Sequence, residues 1–170
     1  TIEPLQLYSK FRSSASYRVR IALHLKKLPF EYIPVHLVKD GGEQHHSAYQ
    51  NMNPAKEVPT LLHGPHALSQ SMAILQYLDD VAPEPRIFPS EPLAKAQVLQ
   101  VCELVNSGIH PIQNLKVLQY LEAHHNYQLP EKTQWAAHCI QQGFQSLEAM
   151  VVKTAGLYSF GNHITAADLL

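Results

Sequence analysis

Leu5-Gln-Leu-Tyr8-Ser-Lys-Phe-Arg12-Ser13-Ser-Ala-Ser16-Tyr-Arg-Val-Arg20-Ile-Ala-Leu23 passes from one periodicity to another without a gap. Leu5–Tyr8 is a short β-prone run. Beyond the serines, Tyr17, Ile21 and Leu25 recur every four residues, as do Val19 and Leu23, which is the helical period. Ser13, Ser14 and Ser16 stand where the first turn must begin, as capping residues do. A strand running straight into a serine-capped helix presents hydroxyls, free N–H groups and a positive dipole end at one point. Such a point suits an anion, a thiolate included. Taken alone, the same features also describe an ordinary helix cap.

The bulk properties narrow the field. A length of 170 residues permits one ordinary domain or two small ones. Hydrophobic residues make up 45% and charged residues 16%, which suits a globular protein with a real core. Net charge is −1 with no basic block, so nucleic acid and acidic membrane surfaces are poor partners. No apolar run approaches the roughly 20 residues of a membrane span, and no signal-peptide pattern opens the chain. Cys102 and Cys139 are isolated in helix-like stretches, which gives no disulfide framework and fits a reducing, cytoplasmic setting.

Two regimes follow one another. Up to about residue 82, strand-like runs at Leu5–Tyr8, Glu31–His36, Thr60–Leu62 and Ala67–Ser69 alternate with helices near Ser14–Lys26 and Ser71–Val81. This β-α-β, loop, β-β-α order is that of the thioredoxin-like arrangement, to which alternation alone is only a weak pointer. Residues 83–89 are proline-rich and read as a linker. From 90 to 170 the chain is helix-patterned, with long helices expected near Pro92–Ile109 and Glu131–Lys153. Thr165-Ala-Ala-Asp168 has the capping-box form, so a helix is expected to start there, one turn before Leu170.

Ser13-Ser14-Ala15-Ser16 followed by Tyr-Arg-Val-Arg-Ile-Ala-Leu resembles the opening motif of zeta-class glutathione transferases, the maleylacetoacetate isomerases. The similarity continues in order through Lys39-Asp-Gly-Gly42, Asn53-Pro54, Val58-Pro59-Thr60-Leu61, Gln70-Ser71, Ile109-His-Pro-Ile-Gln-Asn-Leu115 and Tyr158-Ser-Phe-Gly161. The resemblance implies an α+β thioredoxin-like domain followed by an all-α domain, C-terminally truncated at Leu170. It also implies glutathione as cofactor, a homodimer, and a small acidic enone as substrate.

For the site, the resemblance points to Ser13 as the hydroxyl that holds the glutathione thiolate, with Ser14 in support. Ala15 stands where the family has a cysteine. That leaves the hydroxyl donor and removes a reactive thiol, and a Cys-x-x-Cys redox function is excluded. A free thiol has a pKa of about 8.5, and a charge-assisted hydrogen bond moves it by about one to two units. In this family Pro59 is cis, which frees the Val58 backbone to pair with the cysteinyl part of glutathione. Gln70 and Ser71 take the γ-glutamyl end, with Ser71 read as a helix cap, and Gln44 is a further contact. His110 and Arg12 are matched to the acidic substrate, and Asn114 to a glutathione contact. The family's later substrate-binding arginine would lie beyond Leu170. The other histidines, including His45-His46, His63, His66 and His124-His125, lack the ligand spacing of a zinc site, so no metal is expected.

The expected activity is cis–trans isomerisation of maleylacetoacetate in tyrosine and phenylalanine breakdown. Maleylpyruvate isomerisation, general conjugation, and a non-catalytic binding module are the alternatives.

Overall fold

The computed structural model describes residues 4–170, so three residues of the expected first domain lie outside the described residues. The chain divides into two compact units between Ile87 and Phe88, inside the proline-rich segment.

The first unit holds strands β1 (Leu5–Ser9), β2 (Phe30–Pro34), β3 (Thr60–His63) and β4 (His66–Ser69), with helices α1 (Ser14–Leu25), α2 (Ser47–Met52) and α3 (Ser71–Val81). The sheet order is β2-β1-β3-β4, with β1 and β2 parallel and the other pairs antiparallel. Leu5 and Leu7 of β1 and Leu61 of β3 are buried, as period-two alternation requires. They share a core with Val19, Ala22 and Leu23 of α1 and Ile74, Leu75 and Leu78 of α3. Two details depart from the sequence reading. The buried face of α1 runs Ser16, Val19, Ala22, Leu23, whereas Tyr17 is 57% exposed. The short helix α2 went unrecognised, because six residues carry too little periodicity to be seen.

Lys26, at the C-terminal cap of α1, is buried. Its ammonium donates to Asp79 Oδ1 at 2.7 Å and to the carbonyls of Ala82 and Pro85 at 2.7 and 2.9 Å. Asp79 Oδ1 also accepts from the Ile87 N–H at 2.9 Å. The segment after α3 is thereby tied to the unit by one buried ion pair.

The second unit holds α4 (Pro92–Gly108), α5 (Leu115–His125) and α6 (Leu129–Val151). Glu91 caps α4 by accepting from Leu93 and Ala94, with Pro92 at the first helical position. Val98, Val101 and Cys102 bury one face of α4, and Ile109 is buried just past its end. Gly143 of α6 makes room for Ile109: an added Cβ would lie 2.2 Å from the Ile109 side chain. Helix α5 escaped the sequence reading, because none of its residues is buried and its apolar period is weak.

The capping box at Thr165 forms, but around a 3₁₀ turn, Ala166–Leu169, rather than an α-helix. Asp168 accepts from the N–H groups of Thr165 and Ser159, each at 2.8 Å. Partial burial pushes its carboxyl pKa up, but these hydrogen bonds outweigh it and hold the pKa below the ordinary value. The resulting stability is complete above the ordinary aspartate range and is lost as pH falls through the depressed value.

Candidate active site

Strand register decides which loops meet. Tyr8 of β1 pairs with Ile33 of β2 and with Thr60 of β3, and Thr60 pairs with Ser69 of β4. The segment leaving β1, the segment entering β3 and the segment leaving β4 therefore emerge at one end of the sheet. Because β2 runs parallel to β1, its C-terminal end lies there too. The four segments contain Arg12–Ala15, Val58-Pro59, Gln70-Ser71 and Gln44. Residues up to 59 positions apart (71 − 12) are brought to one end of the sheet by its topology.

Ser13 is the N-cap of α1, in extended conformation, and its Oγ accepts the Ser16 N–H at 3.2 Å. A hydroxyl that accepts in this way keeps its own proton to donate. Ser13 is half-buried, Ser14 is exposed, Ala15 is half-buried and Arg12 is exposed. Ser16 turns inward, fully buried, and its hydroxyl has no partner among the described residues. A shallow depression of about 350 Å³ opens beside Ser13, lined by Phe11, Arg12, Ser13, Ser14, Tyr17 and Arg20.

The Val58-Pro59 peptide is cis. Pro59 is buried and Val58 half-buried, and no hydrogen bond engages the Val58 backbone among the described residues. A polar network that sequence reasoning did not assign holds this loop. Asn53 donates to the Glu57 carbonyl at 2.8 Å and to Thr60 Oγ1 at 3.0 Å, and accepts the Ala55 N–H at 3.0 Å. Tyr49 donates to the same Glu57 carbonyl at 2.6 Å, and its oxygen lies 2.9 Å from Thr60 Oγ1. Burial pushes the Tyr49 pKa up, so the phenol stays neutral and keeps its proton. The available signal was Asn53-Pro54, which marks a turn without saying what it supports.

Gln70 occupies the N-cap of α3 at φ +70°, the left-handed region that a side chain rarely adopts. Ser71, read from sequence as the cap, is instead the first helical residue. Its Oγ accepts from the buried Arg18 of α1 at 3.0 Å, leaving the Ser71 proton available to a ligand. Gln44 is buried, with Nε2 donating to the Leu37 carbonyl at 3.1 Å and Oε1 unpartnered among the described residues. Gly42 precedes it at φ +96°, and a Cβ there would lie 2.6 Å from the Gln44 amide.

The remaining candidates lie in the second unit. Helix α4 ends at Gly108, so His110 falls just beyond it, half-buried, before the 3₁₀ turn Pro111–Gln113. Asn114 caps α5, accepting the Leu115 N–H at 2.9 Å. The Trp135 indole donates to the Ile112 carbonyl at 2.8 Å and pins the turn between them. Among the described residues no three His, Cys, Asp or Glu side chains gather as a metal site, and no helix is long and apolar enough to cross a membrane.

Residues 3–80 match the glutathione S-transferase N-terminal domain. A probable maleylacetoacetate isomerase of Vibrio cholerae is 44% identical over 97% of this chain and 77% of its own length. The chain belongs to the zeta-class glutathione transferase family. The holo structure of a bacterial zeta-class maleyl pyruvate isomerase superposes with a TM-score of 0.91 at 36% identity, over 96% of this chain and 77% of the other. A maleylacetoacetate isomerase from Anaeromyxobacter dehalogenans, with dicarboxyethyl glutathione and citrate bound in its active site, gives 0.83 at 36% identity, over 99% and 78%. In this family member the Ser13 turn opens the thioredoxin-like first unit. The cysteine expected after Ser14 is Ala15 in this one.

Proposed function

We propose that this zeta-class transferase isomerises maleylacetoacetate with glutathione as a recycled cofactor, in the cytoplasmic breakdown of tyrosine and phenylalanine. The observation that carries the reading is the convergence of Ser13, Val58-Pro59 and Gln70-Ser71 at one sheet end. Those three elements suit the three parts of glutathione. The Ser13 hydroxyl donates to the sulfur, the Val58 backbone pairs with the cysteinyl amide, and the start of α3 with Gln70 takes the γ-glutamyl end. Gln44 and Asn114 are proposed as further contacts with the tripeptide.

Chemistry follows from the sulfur. The thiolate adds to one carbon of the cis double bond, and the electron pair moves onto the conjugated carbonyl. The former double bond then rotates as a single bond. Collapse of the enolate expels the thiolate and leaves the trans product, with no net change in glutathione. Ser13 stabilises the sulfur anion both as nucleophile and as leaving group. Arg12 and His110 are proposed to meet the substrate carboxylates, since a guanidinium and an imidazole both offer N–H donors to an anion.

The test follows trans product and free glutathione together. Product should accumulate while glutathione stays constant, and stoichiometric loss of the thiol would instead identify a conjugating transferase. A parallel assay with maleylpyruvate addresses the second reading, which the fold likeness to a maleyl pyruvate isomerase favours. His110→Ala should lower turnover of an acidic enone more than glutathione affinity. Equal losses with acidic and uncharged electrophiles would mark a structural role. The homodimer implied by the motif should sediment at about twice the 19.1 kDa chain mass, and a glutathione-binding monomer would overturn it.

A further inference from the structure

We infer that Arg20 is the positioning residue of this site, holding the turn between β1 and α1 so that the Ser13 hydroxyl points at the sulfur. This rests on the reading of Ser13 given above. The turn's own ties are short-range: the Ser13 N–H reaches the Lys10 carbonyl at 2.9 Å, the Ser16 N–H reaches Ser13 Oγ at 3.2 Å, and the Ser13 carbonyl accepts the Tyr17 N–H at 2.9 Å, which leaves Phe11 and Arg12 untied by any of them. Arg20, two turns into α1, reaches back. Its Nη2 donates to the Phe11 carbonyl at 2.9 Å, two residues before Ser13. Its guanidinium also lies over the Tyr17 ring, 5.0 Å from the centroid. One rigid, planar cation thus ties the first turns of α1 to the loop that delivers the hydroxyl.

Stability alone does not explain this placement. Arg20 Nε is buried with no hydrogen-bond partner among the described residues, so its desolvation is not offset within the fold. Phe11, whose carbonyl it holds, exposes 63% of its surface, so side-chain burial contributes little to fixing the loop. The other charged or titratable groups here are Arg12 and Lys10, both over the Phe11 ring, and Tyr17. None of these makes the backbone link. A hydrogen-bond donor to a reacting atom loses effect steeply when misplaced, by as much as about a hundredfold per ångström.

The experiment titrates the thiolate ultraviolet absorbance of bound glutathione in the wild type, Arg20→Gln, Arg20→Lys, Ser13→Ala and the Ser13→Ala/Arg20→Gln pair. Arg20→Gln should raise the thiol pKa by about half to one unit, part of the one to two units assigned to Ser13. The acid limb of the pH–rate profile should move with it. Arg20→Lys keeps the charge but cannot both lie flat on Tyr17 and reach the carbonyl, so it should restore only part of the shift. In the Ser13→Ala background Arg20→Gln should add nothing, because a residue acting through Ser13 has nothing left to position. An undiminished shift in that background would show that Arg20 acts by its own charge and overturn the inference. So would an unshifted pKa in both single Arg20 variants. An unshifted pKa in Ser13→Ala would instead sink the reading of Ser13 itself. Thermal melting of each variant separates these outcomes from unfolding, with Arg20→Lys as the milder substitution.

Discussion

Ser13→Ala should raise the pKa of bound glutathione by about one to two units and slow isomerisation near neutral pH by about ten- to a hundredfold. The first figure is the worth of one hydrogen bond to a charged group. The second follows because the rate scales with the thiolate fraction. Raising the pH should recover part of the loss, since solvent then supplies the thiolate that the protein no longer stabilises. The neighbouring serines provide the control. Ser14 is exposed and Ser16 is turned into the interior, so neither should match Ser13. A normal pKa in Ser13→Ala with a shift in Ser14→Ala would transfer the role to the second serine. No shift in either would leave only the N-terminus of α1 as the stabilising element.

Lys26→Met should cost about 3–5 kcal/mol of stability, because it leaves the buried Asp79 carboxylate without its main countercharge. Arg86 is a poor replacement, since its nearest nitrogen is 3.8 Å from Asp79 and its side chain is 43% exposed. The Ala82 and Pro85 carbonyls lose their donor in the same variant. Against a typical domain stability of 5–15 kcal/mol, such a loss is severe. Replacing both partners, as Lys26→Met with Asp79→Leu, should recover part of it, because the isolated charge is then gone. Urea unfolding of the wild type and these two variants measures this directly. A Lys26→Met chain within about 1 kcal/mol of wild type would show that the pair behaves like a surface salt bridge.

The sequence disclosed this architecture unevenly, and the reasons are physical. Long amphipathic segments such as α4 and α6, and alternating runs such as Leu5–Tyr8, announce themselves by period. Helices α2 and α5 do not, one for want of length and the other for want of a buried face. The candidate site was legible where local structure marks it, as at Ser13, whose hydroxyl caps α1 as its place in the sequence led one to expect. It was less legible where the work is done across the fold. Tyr49 is unmarked in sequence and Asn53 and Thr60 stand there only as members of motifs, and the three become a network only when α2 and β3 come together. Nothing local in the sequence marks Arg18, which is buried against Ser71, 53 positions away.

The central place of β1 in the sheet has a consequence for how the chain is made. On a ribosome, β2 and α1 can fold against β1 early, but the other edge of β1 stays open until β3 emerges. Leu7 pairs with Leu61, a separation of 54 residues (61 − 7). At a synthesis rate of about 5–20 residues per second, that edge waits roughly 3–11 s for its partner. For the part of this interval after β2 has emerged, a nascent half-sheet carries an uncovered row of N–H and C=O groups beside apolar Leu5 and Leu7, open to pairing with another chain. Folding yield in the cell should therefore depend on translation speed between His36 and Thr60, the stretch that keeps this edge waiting.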